Sequence, residues 1–277
     1  MRLVTMVHEG ETKVGVRKGD GVVPTDYNDM VSLIADGELG LHRAARAAQD
    51  LAPVQPERIL APIPAPSKVL CCGVNYASHK EENPDATMPE EPFFFSKLPS
   101  SVAGPGEPIV IPREQTKTDY EVELALVIGT RAKGVSEADA LDHVFGWTIM
   151  NDVSARDIQF KDLQITLGKN PDTYAPLGPE VVTADELGDW STLRVSATLN
   201  GQTMQSAPTS EMLFPPARLI EFLTALMTLE PGDVVTTGTP AGVGTFRNPP
   251  VFLQPGDTIT VSVDRIGDLT NPVEAGW

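Results

Sequence analysis

Cysteine and histidine are scarce in this 277-residue chain, which holds two of the first and four of the second. Cys71 and Cys72 are adjacent, so a bond between them would close a strained ring, and no third cysteine offers another partner. Reduced thiols in a cytosolic protein are expected, acting as small apolar filling at the end of a strand. The adjacent pair also lacks zinc spacing. The histidines His8, His42, His79 and His143 are too scattered for a His-rich zinc site. Basic residues are few as well: 21 Lys and Arg stand against 38 Asp and Glu, a formal charge of −17. Such a surface repels phosphate backbones and anionic headgroups, so nucleic acid and membrane surfaces are excluded as partners. No apolar run reaches the ~18 residues of a membrane span. The N-terminal run Met1–Val7 is too short for a signal-peptide core and lacks a small-residue cleavage site. A soluble, cytoplasmic protein is the expectation. No Gly-x-Gly-x-x-Gly follows a first strand, and the Gly-rich segment 236–244 lacks the Walker lysine, which excludes nicotinamide and nucleotide loops.

Hydrophobic residues make up 41% and charged residues 21%, enough apolar material for a sizeable core. Short β-like runs at 3–7, 13–16 and 21–23 precede helical spacing over 26–51, anchored by Met30, Leu33, Ile34 and Leu41. Prolines at 62, 64 and 66 make an extended linker. Two domains are expected, a small N-terminal one over 1–62 and a larger one over 66–277. Beyond the linker, runs at 69–72, 93–97, 108–111, 120–128, 147–152 and 258–263 read as strands. Residues 193–205 read as a hairpin about Asn200-Gly201, and 215–229 as the clearest helix. Strand-rich with few long helices, the main domain is expected to be a closed or rolled mixed sheet.

The chemistry concentrates in Asp119-Tyr-Glu121-Val-Glu123-Leu, where a strand sends Glu121 and Glu123 to one face before an apolar continuation. Two carboxylates on a buried face need protons or a cation to compensate them. Asp152 lies where an apolar strand gives way to a helix and offers a third carboxylate, although such a residue also serves as a helix cap. With histidine and cysteine ligands excluded, hard oxygen donors favour Mg²⁺, Mn²⁺ or Ca²⁺. His79 and Glu82, three apart, share a face on a helical turn. A carboxylate beside an imidazole orients it as a general base, although a solvated surface pair has the same spacing.

Seven motifs occur in one order: Gly73–His79, Phe95–Lys97, Asp119–Leu124, Asn151–Gln159, Leu167–Lys169, Pro176–Pro179 and Thr237–Gly244. In this order, over about residues 66–275, the chain resembles the fumarylacetoacetate hydrolase superfamily. The resemblance implies an α+β, mainly β fold, a mixed β-roll with a small N-terminal α/β domain, and a homodimer. It carries over Glu121, Glu123 and Asp152 as ligands of Mg²⁺ or Mn²⁺, and His79 with Glu82 as a water-activating dyad. Lys97, Arg156, Gln159, Lys169 and Thr239 match positions around a bound 2-oxo acid, with Lys169 counted among the catalytic groups. Residues 76–92 would form a lid. The segment between Glu82 and Phe95 is longer and more acidic than in the shortest acylpyruvase members, which leaves the substrate open.

The leading expectation is metal-dependent hydrolysis of a C–C bond in an acylpyruvate- or fumarylacetoacetate-like β-diketo acid, through an enolate. The alternatives are decarboxylation or isomerisation of an unsaturated oxo-dicarboxylic acid, decarboxylation of oxaloacetate, and a metal-binding dimer without turnover.

Overall fold

The computed structural model describes residues 1–78, 82, 88–113 and 117–276. Among them, β-strands dominate and helices are short. The helical spacing over 26–51 resolves into two helices, Met30–Ala35 and Gly37–Asp50. Asp29 caps the first by accepting the Ser32 N–H at 2.8 Å, and Gly37, at φ +56°, turns the chain between them in the left-handed region. The C-terminal helix is Pro216–Leu226, shorter than its apolar stripe, because Met227 leaves it in extended conformation. No described helix is long and apolar enough to cross a membrane.

A mixed sheet of eleven strands forms the frame. From one edge it runs Gly21–Pro24, Glu11–Lys18, Arg2–His8, Ala175–Thr183, Val144–Asn151, Val122–Ile128, Val234–Thr236, Val69–Gly73 and Phe93–Lys97. Arg58–Leu60 and Val102–Ala103 join off this path, beside Arg2–His8 and Ala175–Thr183. A second sheet of five strands runs Gln202–Pro208, Arg194–Leu199, Thr258–Val263, Gly267–Ala275 and Ile109–Ile111.

The strand Val122–Ile128 is buried along its whole length, and this explains its unbroken apolar run. Leu124, Leu126 and Ile128 face a core shared with Val195, Ala197, Val261 and Val263 of the second sheet. Ala125 and Val127 face the other way, against Leu3, Met30, Leu33 and Ile34. The N-terminal strands are bonded into the same frame, with Leu3 paired to Val181. There the buried Glu180 accepts Arg2 Nε and Arg17 Nε, each at 2.6 Å. The proline segment is tied in too, since the Thr5 hydroxyl donates to the Pro62 carbonyl at 2.6 Å.

Candidate metal centre and active site

Strand register brings three carboxylates together. Val122 pairs with Asn151 and Glu123 with Met150, so antiparallel continuation sets Asp152 opposite Glu121. The Asp152 N–H donates to the Glu121 carbonyl at 2.9 Å. Residues 121 and 123 then share a face with 150 and 152 across the ladder. One carboxylate oxygen from each of Glu121, Glu123 and Asp152 lies within 4.8 Å of the other two, and all three residues are buried.

Cations surround two of the three. Arg156, at the start of the short helix Arg156–Gln159, donates through Nη2 to Glu121 at 2.5 Å and through Nε to Asp119 at 2.9 Å. Lys169, ending the helix Thr166–Lys169, bridges Glu121 at 2.8 Å and Asp152 at 2.6 Å. The Lys97 ammonium meets the other Asp152 oxygen at 2.7 Å. Burial raises the Glu121 carboxyl, but Arg156 and Lys169 outweigh it and hold this group well below the usual carboxylate range. Burial lowers the Lys169 ammonium, and the charges of Asp152 and Glu121 more than restore it. Glu123 lacks an ammonium or guanidinium within ion-pair distance among the described residues; it accepts the Gly238 N–H at 2.8 Å. Burial, then the charges of Asp152 and Glu121, push its carboxyl well above the usual range. An all-oxygen set of three converging carboxylates, one left without a cation, is the donor chemistry that a hard divalent ion completes. Glu121, Glu123 and Asp152 fit such an ion.

Beside the triad opens a cavity of about 170 Å³. Arg156, Gln159, Lys169 and Thr239 give it polar groups, and Phe93, Phe95, Phe160 and Phe246 wall it. Gln159 accepts Arg156 Nη1 at 2.9 Å, and Lys169 Nζ sits 4.7 Å from the Phe95 ring centre. Cys72 also lines the cavity, its thiol pushed up by burial and so protonated.

The remaining expected residues are placed differently from one another. Lys97 lies behind Asp152 and outside the cavity lining. Its ammonium donates to the carbonyls of Val153, Lys169 and Tyr174 at 2.6–2.8 Å. Glu82 accepts the Gly242 N–H at 2.9 Å, and burial pushes its carboxyl up to about 7. His79 lies outside the described residues, as do residues 80, 81 and 83–87 of the expected lid, so the dyad has no geometry here.

Sequence reasoning assigned no role to two buried residues. Asp119 accepts the N–H groups of Tyr120, Gly244 and Thr245 at 2.7–3.0 Å, besides Arg156, and so ties the Gly-rich loop to the triad. Its place in the Asp119–Leu124 motif was the signal. Gln205 was visible only as a strand residue.

Residues 68–274 match the fumarylacetoacetate (FAA) hydrolase C-terminal family. An oxaloacetate tautomerase of Bos taurus, mitochondrial by name, is 41% identical over 288 residues, covering 99% of this chain and 91% of that one. Among solved structures, a fumarylacetoacetate hydrolase from psychrophilic Exiguobacterium antarcticum is 37% identical, with TM-score 0.87 and full coverage of both chains. A maleylpyruvate hydrolase from Sphingobium, in complex with manganese(II) and pyruvate, is 30% identical, with TM-score 0.84 and full coverage of both. The chain belongs to the fumarylacetoacetate hydrolase family. It is an enzyme of that family, with the mainly β, mixed-sheet fold expected. The cytoplasmic expectation is corrected, because the tautomerase relative is a mitochondrial protein. Composition and the first residues were too weak a basis for a compartment.

Proposed function

We propose that this enzyme moves a proton beside the keto group of a small 2-oxo acid, interconverting the keto and enol forms of an oxaloacetate-type dicarboxylate. Glu121, Glu123 and Asp152 would hold Mg²⁺ or Mn²⁺. The observation that carries the reading is the buried triad with its unmatched Glu123, opening on a small cavity that also presents Arg156 and Lys169. The tautomerase relative supports the reaction, and the manganese–pyruvate complex of the Sphingobium neighbour supports the ligand class.

When bound, the ion supplies a Lewis acid that polarises the oxygens of a chelating oxo acid. Arg156, fixed by Asp119, Glu121 and Gln159, presents a guanidinium to an anionic ligand. Lys169 sets positive charge where an enolate oxygen gains negative charge. Lys97 holds the Asp152 carboxylate from behind. Four phenylalanines give the cavity an apolar wall, and the lowered polarity strengthens each of these interactions. Glu82, titrating near neutrality, is suited to hold or pass a proton.

The second reading is hydrolytic cleavage of a β-diketo acid by water activated at His79 and Glu82. The Sphingobium hydrolase and the near-neutral Glu82 favour it. Decay of the ultraviolet absorbance of enol oxaloacetate separates the two, run with protein and Mn²⁺, with Mn²⁺ alone, and after chelation. Protein-dependent acceleration, lost on chelation, is expected. No acceleration over the ion alone, with cleavage of an acylpyruvate instead, would replace tautomerisation by hydrolysis.

A further inference from the structure

Gln205 stands outside every motif that marks the site, yet it reaches it. It lies on the strand Gln202–Pro208 of the five-stranded sheet and is 1% exposed. Its Oε1 accepts the backbone N–H of Val122 at 3.0 Å, the residue between Glu121 and Glu123. Its Nε2 donates to Thr239 Oγ1 and to the Pro240 carbonyl, both at 2.8 Å. The partners settle which end of the amide is which, since a backbone N–H only donates and a carbonyl only accepts. Thr239 Oγ1 is therefore an acceptor toward Gln205, and its own proton must point elsewhere. Thr239 lines the cavity, and among the described residues its hydroxyl donates to no protein acceptor.

We propose that Gln205 is a positioning residue that turns the Thr239 hydroxyl into a fixed donor facing the cavity. This wall then takes an acceptor oxygen of the ligand, a carboxylate oxygen of the oxo acid, and disfavours a ligand that offers O–H or N–H there. A neutral amide, buried and fully bonded, sets this polarity without adding charge beside the carboxylate triad. The inference rests on the proposed function for its ligand class, 2-oxo acids, and not for its reaction.

Oxalate binding to the Mn²⁺-loaded protein, measured by calorimetry, is a probe that needs no turnover. Gln205→Glu keeps the side-chain shape but accepts from both Val122 and Thr239, drawing the threonine proton away from the cavity. Oxalate is expected to bind about 10-fold to 100-fold more weakly to Gln205→Glu and to Thr239→Val, the loss of one hydrogen bond to a charged acceptor. Thr239→Ser should bind nearly as the wild type does, and Mn²⁺ alone should bind the two Thr239 variants as it binds the wild type. The double variant Gln205→Met/Thr239→Val, which adds no charge beside the triad, should be no weaker than Thr239→Val, because Gln205 acts through that hydroxyl. Losses that add in the double variant overturn the proposal, and so does undiminished oxalate binding by Thr239→Val. If Gln205→Glu does not fold, Gln205→Met replaces it, and the Thr239→Val and Thr239→Ser pair decides whether the wall is a donor. Failure of the wild type to speed enol decay, with these oxalate results intact, removes the proposed reaction alone. No oxalate binding by the wild type removes both.

Discussion

Among single residues, burial raises the Glu82 carboxyl from an ordinary 4.5 to about 7. The sign of its effect on stability follows directly. Between these two values the folded chain binds more protons than the unfolded one, so this group's contribution is full below about 4.5 and is lost as pH rises through about 7. Activity runs the opposite way if the ionised form serves the reaction, rising as pH climbs through about 7. Glu82→Gln is expected to remove both slopes. Urea midpoints at pH 5 and pH 8, with a pH–rate profile, check this; a rate limb near pH 7 that survives the substitution assigns it to another group. Glu121 and Glu123, two positions apart, titrate in opposite directions because Arg156 and Lys169 face the first and neither reaches the second within ion-pair distance. Which carboxylate attracts the cations depends on the Arg156 and Lys169 helices, and no spacing within Asp119–Leu124 could reveal it.

At the scale of elements, the apolar run over 122–128 and the carboxylates at its start were legible because side-chain alternation is local. Asp152 was legible as a candidate but not as a neighbour. Its place opposite Glu121 comes from the register between Val122–Ile128 and Val144–Asn151, a contact about 30 residues apart in the chain. The helix over 26–51 divided because Gly37 takes a positive φ, and apolar spacing alone does not mark that point. Gln205 shows the limit most plainly, since its partners Val122 and Thr239 lie on other elements. The loop after Val234–Thr236 carries a prediction of its own. A Cβ on Gly244 would sit 1.8 Å from the Val251 carbonyl oxygen and 2.7 Å from Asp119 Oδ1. Gly244→Ala must therefore push the loop off Asp119, which orients Arg156. A loss of about 1–3 kcal/mol in stability is expected, together with weaker Mn²⁺ binding. Wild-type melting and wild-type affinity would show that the loop yields without disturbing the site.

For the whole molecule, the strands before and after the proline segment share one sheet, and Glu180 is the charge that joins them. Removing one partner of a fully buried ion pair costs about 3–5 kcal/mol. Arg2 and Arg17 keep about a third of their side chains exposed and can turn to water, so Glu180→Ala should cost less, about 1–3 kcal/mol. Urea unfolding checks the size, and a single cooperative transition is expected to persist. A first transition confined to the N-terminal strands would mean that they unfold independently of the main sheet. The acidic net charge, read at first as a barrier to nucleic acid and lipid surfaces, includes at this scale a site where three carboxylates converge.

Calorimetric titration of Mn²⁺ into the metal-free protein, beside a variant carrying Glu121→Gln, Glu123→Gln and Asp152→Asn together, tests the central claim most directly. One site per chain is expected in the wild type and none of comparable affinity in the variant. The variant should also melt below the metal-free wild type, because the buried Lys97 and Lys169 ammoniums lose their carboxylate partners. Undiminished Mn²⁺ binding by the variant would place the ion elsewhere and contradict the account.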